Sequence, residues 1–116
     1  MVLSLFAVFV LLIALHFVAD YPFQGNEVAI GKNKFKDPKH LGVSWYYWML
    51  GHSFTHGVMV FLVTQVTLLL ILETVSHFII DYTKCKYPEY WTIHEDQAAH
   101  IVCKFLWWGI FIVFFH

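Results

Sequence analysis

Long apolar stretches alternate with short polar ones along this chain, and their lengths set the first expectation. Met1 to Ala19, "MVLSLFAVFVLLIALHFVA", contains no charged residue, and a helix needs roughly 20 apolar residues to cross a bilayer core. It has no basic start, and Phe17 stands where a leader cleavage site wants a small residue, so it reads as a spanning helix rather than a signal peptide. Asp20 to His40 is polar and broken by Pro22, Gly25 and Gly31, which predicts a loop. At its end "DPKH" has the form of a helix start, with Asp37 capping and Pro38 in the first turn. "WYYW", Trp45 to Trp48, has the make-up of an aromatic belt at a lipid–water boundary. The second helix continues to Val63, Thr64 to Thr67 makes a tight turn, and a third helix follows. "KCKYPEYWTIHE" is a second polar loop, and a fourth helix starts near Asp96. The pattern predicts one domain over residues 1–116, with helices at about 2–19, 40–63, 68–83 and 96–115. The fold class is all-α, an integral membrane four-helix bundle.

Composition points the same way. The chain is 59% hydrophobic and only 13% charged, whereas a soluble domain carries about 25% charged residues. There is too little polar surface to cover a water-exposed globule of this size, so a lipid bilayer is the expected surround. There is no arginine. Six of the seven lysines fall in two stretches, Lys32, Lys34, Lys36 and Lys39, then Lys84 and Lys86. Four crossings place both termini on one side and both lysine-bearing loops on the other. The positive-inside rule then puts those loops in the cytoplasm, with the chain multi-pass in the cell (inner) membrane. No nucleic-acid partner is expected. Cys85 and Cys103 lie far apart and outside any CxxC spacing, so both read as free thiols.

The helices are marked by a repeated polar pair. The first ends with His16 and Asp20, the second holds His52 and His56, the third ends with His77 and Asp81, and the fourth opens with Asp96 and His100. Each pair is spaced i,i+4, so both side chains lie on one helix face. With helices running alternately up and down, the pairs of helices one, three and four reach the same, cytoplasmic end. The second helix matches if it begins above the membrane, as the aromatic belt suggests. One such pair alone reads as an interfacial polar cap. Four of them, at an insertion cost of about 2.5–3.5 kcal/mol per mid-helix ionisable group, must face inward and find partners. With lysines few and mostly in loops, a metal is the natural partner. Five histidines and three aspartates suit Zn, with Mn or Fe as alternatives. Eight donors exceed one tetrahedral zinc and fit two ions, as ferritin-like bundles hold two metals between paired ligands.

Neighbouring residues extend the set. Glu73 precedes His77 by one turn and reads either as an acceptor for a histidine N–H, as a general base, or as a polar contact between helices. Gln24 and Gln97 adjoin the pairs and either orient ligands or face the loops. Lys84 reads first as a topology determinant and otherwise as an anion-binding group. His40, His94 and His116 are placed in loops or at the terminus. The leading function is metal-dependent hydrolysis of a phosphoester or lipid head group near the cytoplasmic face; Lys32 to Lys39 read first as topology determinants and otherwise as a basic stretch able to attract anionic lipid. Two other classes stand beside it. One is metal binding or transport without catalysis, which needs a polar path to the other side, where only Thr64, Gln65 and Thr67 stand. The other is a small phage-type membrane effector that acts through a protein partner and needs no metal.

The ordered motifs "HFVADYPFQ", "HSFTHG", "HFIIDYTK" and "DQAAH" resemble those of domain of unknown function 3307, small membrane proteins of bacteria and their phages. The resemblance covers nearly the whole chain. It implies matched positions at His16, Asp20, Gln24, His52, His56, His77, Asp81, Lys84, Asp96, Gln97 and His100, and it implies no activity. A more distant similarity is to membrane-bound metal-dependent hydrolases whose motif runs H-R-G-x-T-H. Here "HSFTH" has one residue fewer between the histidines and lacks the Arg-Gly. The His-x-x-x-Asp pairs are also similar to those of zinc-dependent phospholipase C and related helical nucleases.

Overall fold

The computed structural model describes residues 3–36 and 43–116. Four long helices carry the chain: α1 (Leu5–Asp20), α3 (Trp45–Thr64), α4 (Thr67–Lys86) and α5 (Ile93–Ile110). A short helix, α2 (Gly25–Gly31), follows α1 within the segment expected as loop. Its seven residues begin and end in glycine, so nothing in its local propensity announces a helix. The expected cap at Asp37 and Pro38, and His40, lie outside the described residues. Described α3 starts after Ser44, in extended conformation.

Local chemistry explains the helix ends. The Ser4 hydroxyl accepts a hydrogen bond from Ala7 N at 3.1 Å. Thr92 caps α5 by accepting from Glu95 N at 3.2 Å; Thr-x-x-Glu is a capping-box spacing. That cap starts α5 one turn before the expected Asp96, so His94 belongs to an exposed first helical turn and not to a loop. Between α3 and α4 only Gln65 and Val66 remain outside helix. Gln65 takes a left-handed φ of 58°, the conformation that ends a helix and reverses the chain. α4 runs through Lys84 and Lys86 in its last turn, where cations suit the helix dipole.

α3 packs most extensively on α4, while α1 contacts α3 and α5, and α4 contacts α5. The four long helices thus close a ring, with α2 lying against α3. Gly57 sets the α3–α4 approach: a Cβ there would stand 2.8 Å from the Leu70 carbonyl oxygen and strike the Thr74 side chain. The interior has two ends. Val8, Leu12, Val60, Val66, Leu69 and Trp107 form an apolar cluster at one, and the buried His/Asp pairs occupy the other. Between them sits a buried ion pair in which Lys104 Nζ donates to Glu73 Oε1 at 2.5 Å and Trp107 Nε1 donates to Oε2 at 2.5 Å.

Outward positions are apolar. Phe54, Leu62, Ile71, Ile79, Phe105 and Val113 are all exposed, so the usual distribution is inverted around the polar end. Among the described residues one helical run, Ile93–Phe115, is long and apolar enough to cross a membrane, its most apolar 18-residue stretch having a mean hydropathy of 1.9. α1 and α2 reach that measure only together, and they are bent by 84°.

Two outcomes test this account. Gly57→Ala should destabilise the protein by about 1–3 kcal/mol, an overpacking cost. Gly51→Ala, where an added Cβ meets nothing within 4 Å, should be neutral or stabilising; thermal unfolding midpoints in mild detergent compare the two. Lys104→Met strands a buried carboxylate and should cost about 3–5 kcal/mol. Adding Glu73→Gln should recover more than half of that loss in denaturant titrations, because Gln still accepts from Trp107.

Candidate metal centre

All eight paired side chains are buried and meet at the polar end of the bundle: His16 and Asp20 from α1, His52 and His56 from α3, His77 and Asp81 from α4, Asp96 and His100 from α5. The i,i+4 spacing stacks each pair on the inner face of its helix. In α1 and α4 the pair is late and in α5 it is early, so alternating helix directions bring them level.

Asp20 and Asp81 organise the cluster. Asp20 Oδ1 accepts from His56 Nε2 at 3.0 Å and lies 3.4 Å from His52 Nε2 and 4.0 Å from His77 Nε2. Asp81 Oδ1 is 3.2 Å from His100 Nε2, and its Oδ2 is 3.4 Å from both His52 Nε2 and His77 Nε2. His52 and His77 face each other, Nε2 to Nε2, at 3.2 Å. Such a contact holds one proton, so one Nε2 donates and the other accepts with its lone pair. The rings of His56, His77 and His100 stack, with centroids 3.7 and 4.1 Å apart.

Two compact donor groups result. Asp20, His52, His56 and His77 form one; His77, Asp81 and His100 form the other; in each, the potential ligand atoms lie within 4.8 Å of one another. Donors about 2.0–2.1 Å from a tetrahedral ion stand roughly 3.4 Å apart, a value the separations of 3.0–4.0 Å in the first group bracket. Asp96 Oδ1 is buried without a hydrogen-bond partner, 3.3 Å from His100 Nε2, so an unused anionic oxygen borders the second group. The donor set suits a metal ion.

His16 belongs to neither group but borders the first, its Nε2 3.6 Å from Asp20 Oδ2. Its Nε2 is 2.9 Å from Gln97 Oε1. An amide oxygen only accepts, so Nε2 carries the proton, and Nδ1 is left without a partner. Gln97 Nε2 in turn donates to Asp20 Oδ2 at 3.0 Å and approaches Asp96 Oδ2 at 3.3 Å. This amide therefore fixes a histidine and two carboxylates at once. Glu73 Oε1 is 3.5 Å from His77 Nδ1, which has no hydrogen-bond partner.

The lysines correct the expectation from sequence. Lys32, assigned to a solvated loop, is only 4% exposed and donates to Asp81 Oδ2 at 2.6 Å. It also donates to the Gln24 side chain, and Gln24 Nε2 donates to the Asp20 carbonyl oxygen at 3.2 Å. Lys84 Nζ donates to Asp96 Oδ2 at 3.1 Å and lies 3.7 Å from Asp81 Oδ1. Two ammonium groups thus face Asp81 and Asp96, whereas Asp20 is contacted by imidazoles and the Gln97 amide. Lys104 was also missed, although it continues the Asp96–His100 stripe by one more turn, as Glu73 continues His77–Asp81. Antiparallel α4 and α5 bring those two extensions level.

No curated protein and no solved structure matches the chain at a significant level. Residues 8–115 match a family described as "Protein of unknown function (DUF3307)", a span that includes every member of the cluster. The chain therefore belongs to the DUF3307 family.

Proposed function

We propose that the protein is an integral membrane, metal-dependent hydrolase acting on a phosphoester or lipid head group near the cytoplasmic face. The observation that carries this reading is the buried convergence of five imidazoles and three carboxylates in two donor groups. The apolar exterior around a polar interior supports the membrane setting: lipid solvates the outer positions, and the bundle shelters the charges. Four crossings, with both lysine-bearing segments cytoplasmic, agree with the shared level of the four polar pairs.

Asp20, His52, His56 and His77 would hold one ion. Asp81, His100 and Asp96 would hold a second, leaving a position for water, because the single His77 Nε2 serves only one of the two groups. His16 would join once Gln97 releases its Nε2. Mixed imidazole and carboxylate donors favour Zn, with Mn or Fe next. When bound, divalent ions polarise a phosphoryl oxygen and ease deprotonation of water. Lys32 and Lys84 would exchange their carboxylate contacts for phosphate oxygens, as point-charge anion binders. Glu73 would hold His77 in orientation through Nδ1. In the reaction the P–O ester bond breaks, water supplies hydroxyl to phosphorus, and its proton goes to the leaving alcohol.

A transport reading needs a cation path toward the apolar end. There the first polar group beyond the cluster is the Glu73–Lys104 pair, and a fixed ammonium is an unfavourable lining for cations. This favours a closed site over a path.

Elemental mass spectrometry of protein purified in detergent without chelator should find about two equivalents of Zn, Mn or Fe. His77→Ala/Asp81→Ala should lose them. Metal-free wild type would sink the proposal. In the metal-loaded protein, hydrolysis of p-nitrophenyl phosphate should fall about 100-fold or more in Asp81→Asn, at or beyond the usual effect of losing an outer-shell metal contact.

A further inference from the structure

A cavity of about 230 Å³ opens between α2 and the start of α3, lined by Phe23, Val28, Tyr47, Trp48, Gly51 and His52, with Thr55 beside them. Its wall is largely aromatic and aliphatic. Phe23 and Tyr47 are exposed, so the outer rim belongs to the apolar exterior. His52 is different: it is buried, and its Nε2 lies 3.4 Å from both Asp20 and Asp81. One wall residue therefore belongs to the donor cluster.

Three further features give this space a polarity. Trp48 Nε1 is buried and has no hydrogen-bond partner, although a buried indole N–H ordinarily finds one. Gly51 offers open room, since a Cβ there meets nothing within 4 Å. Lys32 follows Val28 by one helical turn, and its ammonium shares Asp81 Oδ2 with His52. The cavity thus joins an apolar rim to an inner end where His52 meets the donor cluster, with the Lys32 ammonium and the carboxylates of Asp20 and Asp81 behind that wall. An amphiphile with an anionic head fits that order of surfaces. A metal ion would find few ligands along the apolar wall, and a small soluble phosphoester has no use for it.

We infer that the cavity is the lateral subsite for an anionic phospholipid, with its upper chain against Phe23, Val28 and Tyr47 and its phosphate at His52 and Lys32. The Trp48 indole N–H donates to an oxygen of the lipid's ester region. This rests on the phosphoester reading above and narrows it to a substrate that arrives from within the bilayer.

The test is photo-crosslinking in phosphatidylcholine nanodiscs doped with phosphatidic acid that carries a diazirine near the head of one chain, with peptide mapping by mass spectrometry. Label should concentrate on peptides spanning 21–31 and 45–55 and be competed by unlabelled phosphatidic acid, but not by inorganic phosphate. Gly51→Leu, which fills the cavity, should cut that labelling by about tenfold, roughly what displacing two buried methylenes costs, while metal content stays at the wild-type level. Trp48→Phe keeps an aromatic wall, removes the donor, and should weaken competition by unlabelled lipid. Label spread evenly over the outer faces of α3 to α5, or unchanged in Gly51→Leu, would overturn the inference, as would competition by inorganic phosphate. A labelled cavity in metal-free wild type would defeat the hydrolase reading and leave the lipid site standing. A metal-loaded protein that cleaves p-nitrophenyl phosphate without labelling the cavity would do the reverse.

Discussion

The carboxylate of Asp81 receives the Lys32 ammonium at one oxygen, with the Nε2 atoms of His52 and His77 each 3.4 Å away, and meets the His100 imidazole at the other. Those contacts come from the end of α2, from α3, from its own α4 and from α5, so two oxygen atoms fasten most of the chain. Asp20 does the same from α1, through His56 and Gln97. A buried carboxylate is tolerated only where donors surround it. The helices are therefore not free to choose their rotation about their axes. Each must present its polar stripe inward, and the apolar exterior is what remains.

Much of this could be read in the sequence because its cause is local. Four residues separate the members of every pair, and a helix turns that spacing into adjacency without help from the rest of the fold. The long helices were readable for the same reason. α2 was not, because seven residues flanked by glycines owe their helix to contacts with α3 rather than to propensity. Lys32 was hidden by company: among Lys34, Lys36 and Lys39 it looks like one more solvated charge, and only the fold singles it out. Glu73 was read as one turn before His77, and its partner Lys104 was visible in principle. Each prolongs a stripe already recognised, and two stripes on antiparallel helices grow toward the same level. The Thr92–Glu95 cap was equally visible, as a Thr-x-x-Glu spacing directly before α5.

The polar end of the interior carries more donors than any one arrangement uses. His77 belongs to both compact groups through a single nitrogen, Gln97 holds His16 out of both, and Asp96 keeps one oxygen unpaired. Such redundancy means that the cluster has more than one way of satisfying its hydrogen bonds. Exchange between them is a matter of moving protons and rotating amides, with the helices standing still.

The connection of Gln65 and Val66 has a consequence for how this protein can change over generations. Two residues, the first in a left-handed conformation, leave no slack between α3 and α4. One residue gained within either helix turns everything beyond it by about 100°, which would swing an imidazole pair from the centre of the bundle to its rim. A residue gained ahead of a polar pair in this hairpin therefore costs the cluster that pair. The outward faces, which need only stay apolar, are free to drift.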